Sequence, residues 1–307
     1  MALLYALPGA AAEGLIWGLM AMGVYISYKI LDIADLTVDG SICTGGCVCA
    51  VLLGLGVSPW IALLAALIAG SLTGVVTGLL HTVLGIPSIL AGILTQLMLY
   101  SVNLLILSGK SLMPIDPRAN ALVVHMSNNP RSVLMLAVIV AVTIFSLYKF
   151  FYTEVGLTLK STGDNPDMSR AQGVDVDRNK VIGLAIANGI VAMAGALLAQ
   201  YKGSANINDG RGAIVIGLAA IFIGLSISLK IKPNFVVSLI GVIGGGIIYY
   251  IVYNVVILLG LKTDYLKMLS ALIVALFLGI PYLKATYFTK PKPPVQLSGE
   301  TGGEKDA

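Results

Sequence analysis

Charged residues are scarce in this chain of 307 residues: Asp, Glu, Lys and Arg together make up 11%, against 57% hydrophobic residues. Soluble domains carry about 25% charged residues, and the mean hydropathy here is +0.93. Most of the surface is therefore expected to face lipid, which excludes a soluble enzyme. The formal net charge of +4 is small and dispersed, so a nucleic acid is not an expected partner.

Residues that could carry catalysis or bind metal are also few. The two histidines, His81 and His125, have no catalytic constellation around them. Cys43, Cys47 and Cys49 lie in one apolar stretch without neighbouring His or carboxylate ligands. This favours small buried packing residues over a metal site. Neither enzyme activity nor a metal or cofactor is predicted.

The sequence also lacks a site for ATP. Gly109, Lys110 and Ser111 imitate the end of a phosphate-binding loop, but Leu104 stands where that motif requires a glycine. There is no chain of intramembrane carboxylates or histidines of the kind that proton-coupled carriers use. Both absences favour a source of energy outside this chain.

Apolar runs of spanning length dominate the rest. A transmembrane helix needs about 20 mainly apolar residues, and the first eight residues lack the basic start of a signal peptide. We predict an all-α polytopic membrane protein with a transmembrane domain over 1–283 and a disordered cytoplasmic tail over 284–307. The nine predicted spans, of which the second and seventh are the shortest, are 9–28, 41–56, 59–80, 88–108, 132–150, 181–201, 213–229, 235–259 and 266–283.

The longest internal polar segment is 153–180. Within it, Asn165 can cap a helix, Pro166 suits the first helical position, and Gly173 supplies a stop. These residues predict a two-turn helix over 166–173, held away from the membrane by polar arms. A helix this short is marginal alone, so a partner surface is expected. An ordinary solvated loop is the alternative.

Basic residues set the predicted orientation. If 153–180 is cytoplasmic, about twelve Lys and Arg residues lie inside and about seven outside, which places the N-terminus outside and the C-terminus inside. In that arrangement Tyr249, Tyr250 and Tyr253 lie towards the outer end of their helix, as an aromatic belt does. Glycines at four-residue spacing (70, 74 and 78; 241 and 245) predict close helix packing.

Two Asp-Gly pairs suggest an internal repeat. Asp39-Gly40 precedes the short second span, and Asp209-Gly210 precedes the short seventh span, on the opposite side of the predicted membrane. Short segments at matching positions in two halves indicate an inverted repeat with broken helices beside a transport path. Asp-Gly is also a common turn dipeptide, so ordinary turns remain the alternative.

Polar residues inside predicted spans are costly in lipid and usually face a cavity or another helix. We place Gln96 and Asn188, together with Asp39, Gly40, Asp209 and Gly210, along the predicted path. Hydrogen bonding between helices is the alternative for any one polar residue. The polar positions within the spans are Glu13, Gln96, Asn103, Asn188, Gln200 and Asn254.

The polar segment resembles the cytoplasmic loop of the ABC importer permeases of the branched-chain amino acid and ribose type. That loop follows roughly the pattern T-x-x-G-x-x-L-(R/K)-A-x-G-x-N-x-x-A-A-x-x-x-G, which is similar to 153–173 here, with Ser169 and Arg170 near the small pair and Ala171 displaced. Glu13–Tyr25 resembles the first helix of the amino acid members, and 36–41 resembles the D-L-S-x-G element of the sugar members. With 219–224, the resemblance covers about 9–229.

The resemblance implies a permease subunit in a bacterial cytoplasmic membrane. It would pair with a second permease copy or a sister permease, dock a cytoplasmic ATPase that binds the ATP, and receive a small solute, an amino acid or related compound, from an extracytoplasmic binding protein. Matched to the loop pattern, the coupling residues would be Gly163, Asp164, Asn165, Pro166, Arg170 and Gly173. A sugar- or nucleoside-specific permease, a stand-alone secondary carrier and a membrane scaffold remain alternatives.

Overall fold

A computed structural model describes residues 2–116, 122–126, 129–228 and 234–258, with the single positions 268, 271, 272, 275 and 279. The described part is almost entirely helical. Its elements in chain order are α1 (Ala2–Tyr25) with a π-helical extension (Ile26–Ile30), α2 (Val38–Gly54), α3 (Pro59–Thr82), α4 (Ser88–Ile106), β1 (Leu112–Pro114), α5 (Asn129–Phe151), α6 (Glu154–Asp164), α7 (Pro166–Ala171), α8 (Val176–Lys202), β2 (Ser204–Asn206), α9 (Ala213–Ser228) and α10 (Phe235–Leu258).

The predicted all-α polytopic architecture is confirmed. Six of these helices are long and apolar enough to cross a membrane. Two more, α2 with 17 residues and α9 with 16, are the short ones that the sequence predicted. The ninth predicted span, 266–283, lies outside the described residues apart from five single positions, and the predicted tail 284–307 lies outside them altogether.

Helix α8 is the centre of the bundle, and small residues allow α2 and α3 to approach it closely. A Cβ atom on Gly74 of α3 would overlap the backbone of Leu184, and one on Gly45 of α2 would overlap the backbone of Ala192. Helix association in lipid is driven by packing of this kind. The packing role predicted for the glycines of α3 is confirmed.

Helices α9 and α10 form a second close pair. A Cβ atom on Gly224 would overlap the backbone of Gly241, and one on Gly245 would overlap that of Ala220. This confirms the packing role predicted for Gly241 and Gly245. The aromatic belt on α10 was predicted wrongly, because Tyr249 and Tyr250 are only 1% and 6% exposed. They pack with other rings inside the bundle rather than at a lipid interface.

The two ends of the bundle differ in structure. At one end, here the loop end, α6 and α7 fill the connection from α5 to α8. At the other, here the ribbon end, β1 pairs antiparallel with β2. Helix α8 runs from the loop end to the ribbon end, since it begins after α7 and ends before β2.

The two short helices begin at a common point inside the bundle. The backbone N–H of Gly212, just before α9, donates to Asp39 at the start of α2 over 2.9 Å. From there α2 runs beside α8 towards the ribbon end, whereas α9 follows α1 towards the loop end, with the rings of Phe222 and Tyr28 6.0 Å apart. The prediction that the two Asp-Gly turns lie on opposite membrane sides was therefore wrong. Non-helical segments at 31–37 and 207–212 carry the chain to this point before each helix starts.

Candidate functional site

Asp39 joins the two short helices. Its carboxylate accepts hydrogen bonds from the N–H groups of Gly212 and Ile214, each over 2.9 Å. It therefore occupies the N-terminus of α9, where a negative charge is favoured by the helix dipole. A Cβ atom on Gly210 would overlap the Asp39 carbonyl oxygen, so this contact requires glycine.

The side chains of Cys43 and Asp209 hold the turn over 207–212 in place. Cys43 of α2 accepts a hydrogen bond from the Gly210 N–H over 3.0 Å and donates its own to the Ile207 carbonyl over 3.3 Å. Asp209 accepts instead from the Asn206 N–H over 3.2 Å and lies 3.4 Å from the Lys202 ammonium. The two predicted aspartates thus differ: Asp39 connects two helices, and Asp209 stabilises its own turn.

A cavity of about 490 Å³ opens where the two short helices meet, and it is called here the central cavity. Of the residues predicted along the path, Asp39, Gly40 and Gln96 line it. Asn103 also lines it; this side chain is 2% exposed, and its Oδ1 atom has no hydrogen-bond partner among the described residues. The described residues that line it are Asp39, Gly40, Cys43, Gln96, Leu97, Tyr100, Asn103, Ile207 and Arg211.

A second cavity of about 370 Å³, here the aromatic cavity, lies on the other side of Arg211. Its walls include Trp17, Tyr250 and Tyr253, with the Trp17 and Tyr250 rings stacked at 5.9 Å. Asp209 also lines it. Arg211 lines both cavities and is the residue that they share.

Asn188 is not part of the central cavity lining, contrary to the path predicted for it. The side chain is fully buried, donates to Asp35 over 2.6 Å and accepts from Ser41 over 2.6 Å. Ser41 in turn is 2.7 Å from Thr73 of α3. Asn188 therefore connects α8 to α2 and α3. This is the hydrogen bonding between helices that the sequence left as the alternative to a place on the path.

Asp35 was missed by sequence analysis. It is 2% exposed, accepts from the Thr37 N–H over 2.9 Å, and receives the Asn188 amide. The span template counted it in a loop, because it falls between two apolar runs. The signal available was the apolar residues alternating with three aspartates over 31–40, which is unlike a solvated turn.

In the polar loop, α7 forms as predicted. Asn165 caps it by accepting the Met168 N–H over 3.0 Å, Pro166 is its first residue, and Gly173 has a left-handed φ of 83° just beyond its end. The polar arm before it forms the three-turn helix α6, capped by Thr153, which the sequence analysis did not predict.

Helix α6 holds this loop against the bundle. A Cβ atom on Gly163 would overlap the Ile30 carbonyl oxygen, and Asn179 of α8 donates to Thr162 over 3.0 Å. The Lys160 ammonium lies 4.7 Å from the ring centroid of Phe235 at the start of α10. Movement of α6 would therefore be transmitted to α1, α8 and α10.

The outer surface of α7 is open to solvent. Asp164, Asn165, Pro166 and Arg170 are exposed, and the apolar side chain of Met168 is 59% exposed. Arg170 forms an exposed ion pair with Asp177, 3.2 Å apart, which contributes little to stability. An anchored helix with an exposed outer face has the form of a docking element.

A bundle of membrane-spanning helices around a polar cavity, with an exposed helix in one polar loop, defines a membrane permease. The sequence over residues 8–279 matches the family described as the branched-chain amino acid transport system permease component. This chain belongs to that family and is a membrane-spanning permease subunit of an ABC importer. The family is a transport component rather than an enzyme.

Characterised relatives differ in what their names say they carry. The chain is 38% identical to a tyrosine transport system permease protein of Clostridioides difficile, over 87% of this chain and 88% of that one. It is 24% identical to the ribose import permease of Escherichia coli, over 84% and 79%. It is 29% identical to an autoinducer 2 import permease of Yersinia pseudotuberculosis, over 83% and 71%. No solved structure matches the chain.

Proposed function

We propose that this permease carries an aromatic amino acid of the tyrosine type across a bacterial cytoplasmic membrane, driven by a separate ATPase subunit. The 38% identity to a tyrosine transport permease supports this substrate class. The aromatic cavity, with Trp17 and two tyrosines beside Arg211 and Asp209, supplies both apolar and charged surfaces for such a solute.

The observation that carries the coupling proposal is the structure of the polar loop. Helix α7 presents an exposed face, while α6 beneath it contacts Ile30 of the π-helical extension and Asn179 of α8. We infer that α7 inserts into a groove of the ATPase. ATP binding by that subunit closes the ATPase pair and displaces α6, and the bundle then changes the end to which its cavity opens.

The proposed orientation puts the loop end in the cytoplasm, with the N-terminus outside and the C-terminus inside. Among the described residues, basic side chains are more numerous at the loop end than at the ribbon end, where Lys110, Arg131 and Lys202 lie. This distribution supports a cytoplasmic loop end. The basic residues of the loop end are Lys29, Lys149, Lys160, Arg170, Arg178 and Lys180.

The proposed partners follow from the family. A second permease copy or a sister permease completes the membrane domain, and an extracytoplasmic binding protein delivers substrate at the ribbon end. ATP binds only to the partner ATPase, so no cofactor is assigned to this chain. Asp39, Gly40 and Gln96 are proposed to shape the path at the central cavity, with Asp209 and Gly210 in the adjoining turn.

A pull-down from native membranes in mild detergent tests the coupling proposal. The native chain is compared with a variant in which 163–173 is replaced by a Gly/Ser linker of equal length. We expect a nucleotide-binding ATPase to co-purify with the native chain and to be lost from the variant. A variant that retains the ATPase would show that α7 is not the docking element.

A further inference from the structure

We propose that the central cavity binds the charged head of an α-amino acid, with Arg211 binding its carboxylate and Asn103 accepting a hydrogen bond from its ammonium group. This inference rests on the proposed function and assigns the substrate contacts that it leaves open. Neither residue was placed on the path by sequence analysis.

At both helix starts beside the cavity, backbone N–H groups are bonded to acceptors of the chain itself. The Asp39 carboxylate occupies the start of α9. In the first turn of α2, the N–H groups of Gly40 and Ser41 both donate to the Thr37 carbonyl, over 2.8 and 2.9 Å. Since these N–H groups already have acceptors, a basic side chain is the better partner for an anionic group in this cavity.

Arg211 is the side chain that fits this role. It is exposed and lies in the turn between two glycines, of which Gly212 has a left-handed φ of 84°. No hydrogen bond or ion pair connects its guanidinium to another described residue, since the nearby Asp209 is engaged by Lys202 and the Asn206 N–H. A guanidinium with open donors suits bidentate binding of a carboxylate.

Asn103 of α4 supplies an acceptor in the same cavity. An oxygen buried without a partner is unfavourable, and Asn103 Oδ1 is in that state within the described part of the chain. An ammonium group in the cavity would provide the missing donor. Gln96 and Tyr100 lie at helical spacing from Asn103 on the same face of α4 and line the same cavity.

The arrangement separates amino acids from the other solutes carried by relatives. A sugar has no anionic group for Arg211, and an amine without a carboxylate satisfies Asn103 alone. A volume of about 490 Å³ lies within the range of small-molecule sites, roughly 300–1,000 Å³. The structure therefore assigns selection for a carboxylate to Arg211.

The test is saturation-transfer NMR on the permease–ATPase complex in nanodiscs, without the binding protein, because this method detects weak ligands. The probes are L-tyrosine, tyramine, which lacks the carboxylate, and ribose. We expect L-tyrosine to bind more tightly than either of the other two. Arg211→Gln should weaken L-tyrosine binding roughly 10- to 100-fold, the effect of losing a charged hydrogen-bonded pair, and leave tyramine unchanged.

Matched variants separate this role from a structural one. Asn254→Leu removes an amide that bonds its own helix at Tyr250 and should not change binding. Asn103→Leu should weaken L-tyrosine binding, whereas Asn103→Asp keeps the acceptor and should preserve it.

Equal binding of L-tyrosine by the native complex and Arg211→Gln would overturn the site assignment, as would equal binding of L-tyrosine and tyramine. Uptake by the complete transporter is measured in parallel for the native chain and for Arg211→Gln. It shows whether the site assignment alone or the proposed function has failed. ATP-driven uptake of L-tyrosine with an unchanged KM in Arg211→Gln contradicts the site alone. Uptake of ribose but of no amino acid contradicts the proposed function as well.

Discussion

Asp39 and Asp209 show how far identical dipeptides can differ in role. Both precede glycine and a short helix, and sequence alone ranks them equally. In the structure, both carboxylate oxygens of Asp39 accept hydrogen bonds from N–H groups at the start of α9, more than 170 residues further along the chain, whereas Asp209 accepts one from Asn206 beside its own turn. A partner so distant in sequence has no local signal, so the contact could not be predicted.

This difference gives a first prediction. Asp39→Ala leaves the Gly212 and Ile214 N–H groups without their acceptor, and we expect a loss of about 1 to 3 kcal/mol in stability. Asp209→Ala removes a partly exposed ion pair and a single hydrogen bond from the Asn206 N–H, and should cost less, about 1 kcal/mol. Thermal unfolding of both variants in detergent measures the contrast. Equal melting temperatures would contradict the capping role of Asp39.

Asn165 gives a second prediction. Asn165→Ala removes the cap on the Met168 N–H and should destabilise α7 by about 1 kcal/mol. We expect weaker ATPase docking with unchanged membrane insertion, whereas Asn165→Asp keeps a capping oxygen and should dock normally. Binding of the purified ATPase to immobilised permease is the measurement. Normal docking and transport by the alanine variant would show that the cap is not needed for coupling.

At the scale of elements, apolar length predicted every span within the described residues, because a helix in lipid must satisfy its own backbone groups over the membrane thickness. The three-turn helix α6 was missed. Its sequence is polar with a Gly near each end, so it carries no spanning signal, and its position depends on contacts with Ile30 and Asn179. Tertiary contacts decided its structure.

Adjacent glycines in α10 give a third prediction. A Cβ atom on Gly245 would overlap the Ala220 carbonyl oxygen, whereas one on Gly244 would meet no described heavy atom within 4 Å. Gly245→Ala should therefore destabilise the α9–α10 pair by about 1 to 3 kcal/mol. Gly244→Ala should not lower stability, since alanine favours helix. Melting temperatures in the same detergent compare them, and a harmless Gly245→Ala would contradict the close packing.

For the whole molecule, the sequence predicted the class of protein and the polar loop but not the centre of the bundle. The central cavity forms where segments around residues 39, 100 and 211 converge. Gln96 and Gly40 were predicted on the path and do line this cavity, while Asn188 was predicted there and instead ties three helices together. Polarity within a span indicates a partner, and only the fold determines whether that partner is a solute or another helix.

The central claim is that this permease is energised from outside its own chain. The most direct measurement is uptake of labelled L-tyrosine into proteoliposomes that contain the permease alone or with its ATPase, binding protein and ATP. We predict accumulation only in the complete system, and none when the chain alone is given a proton or sodium gradient. Accumulation by the chain alone, driven by such a gradient, would contradict the account and identify a secondary carrier.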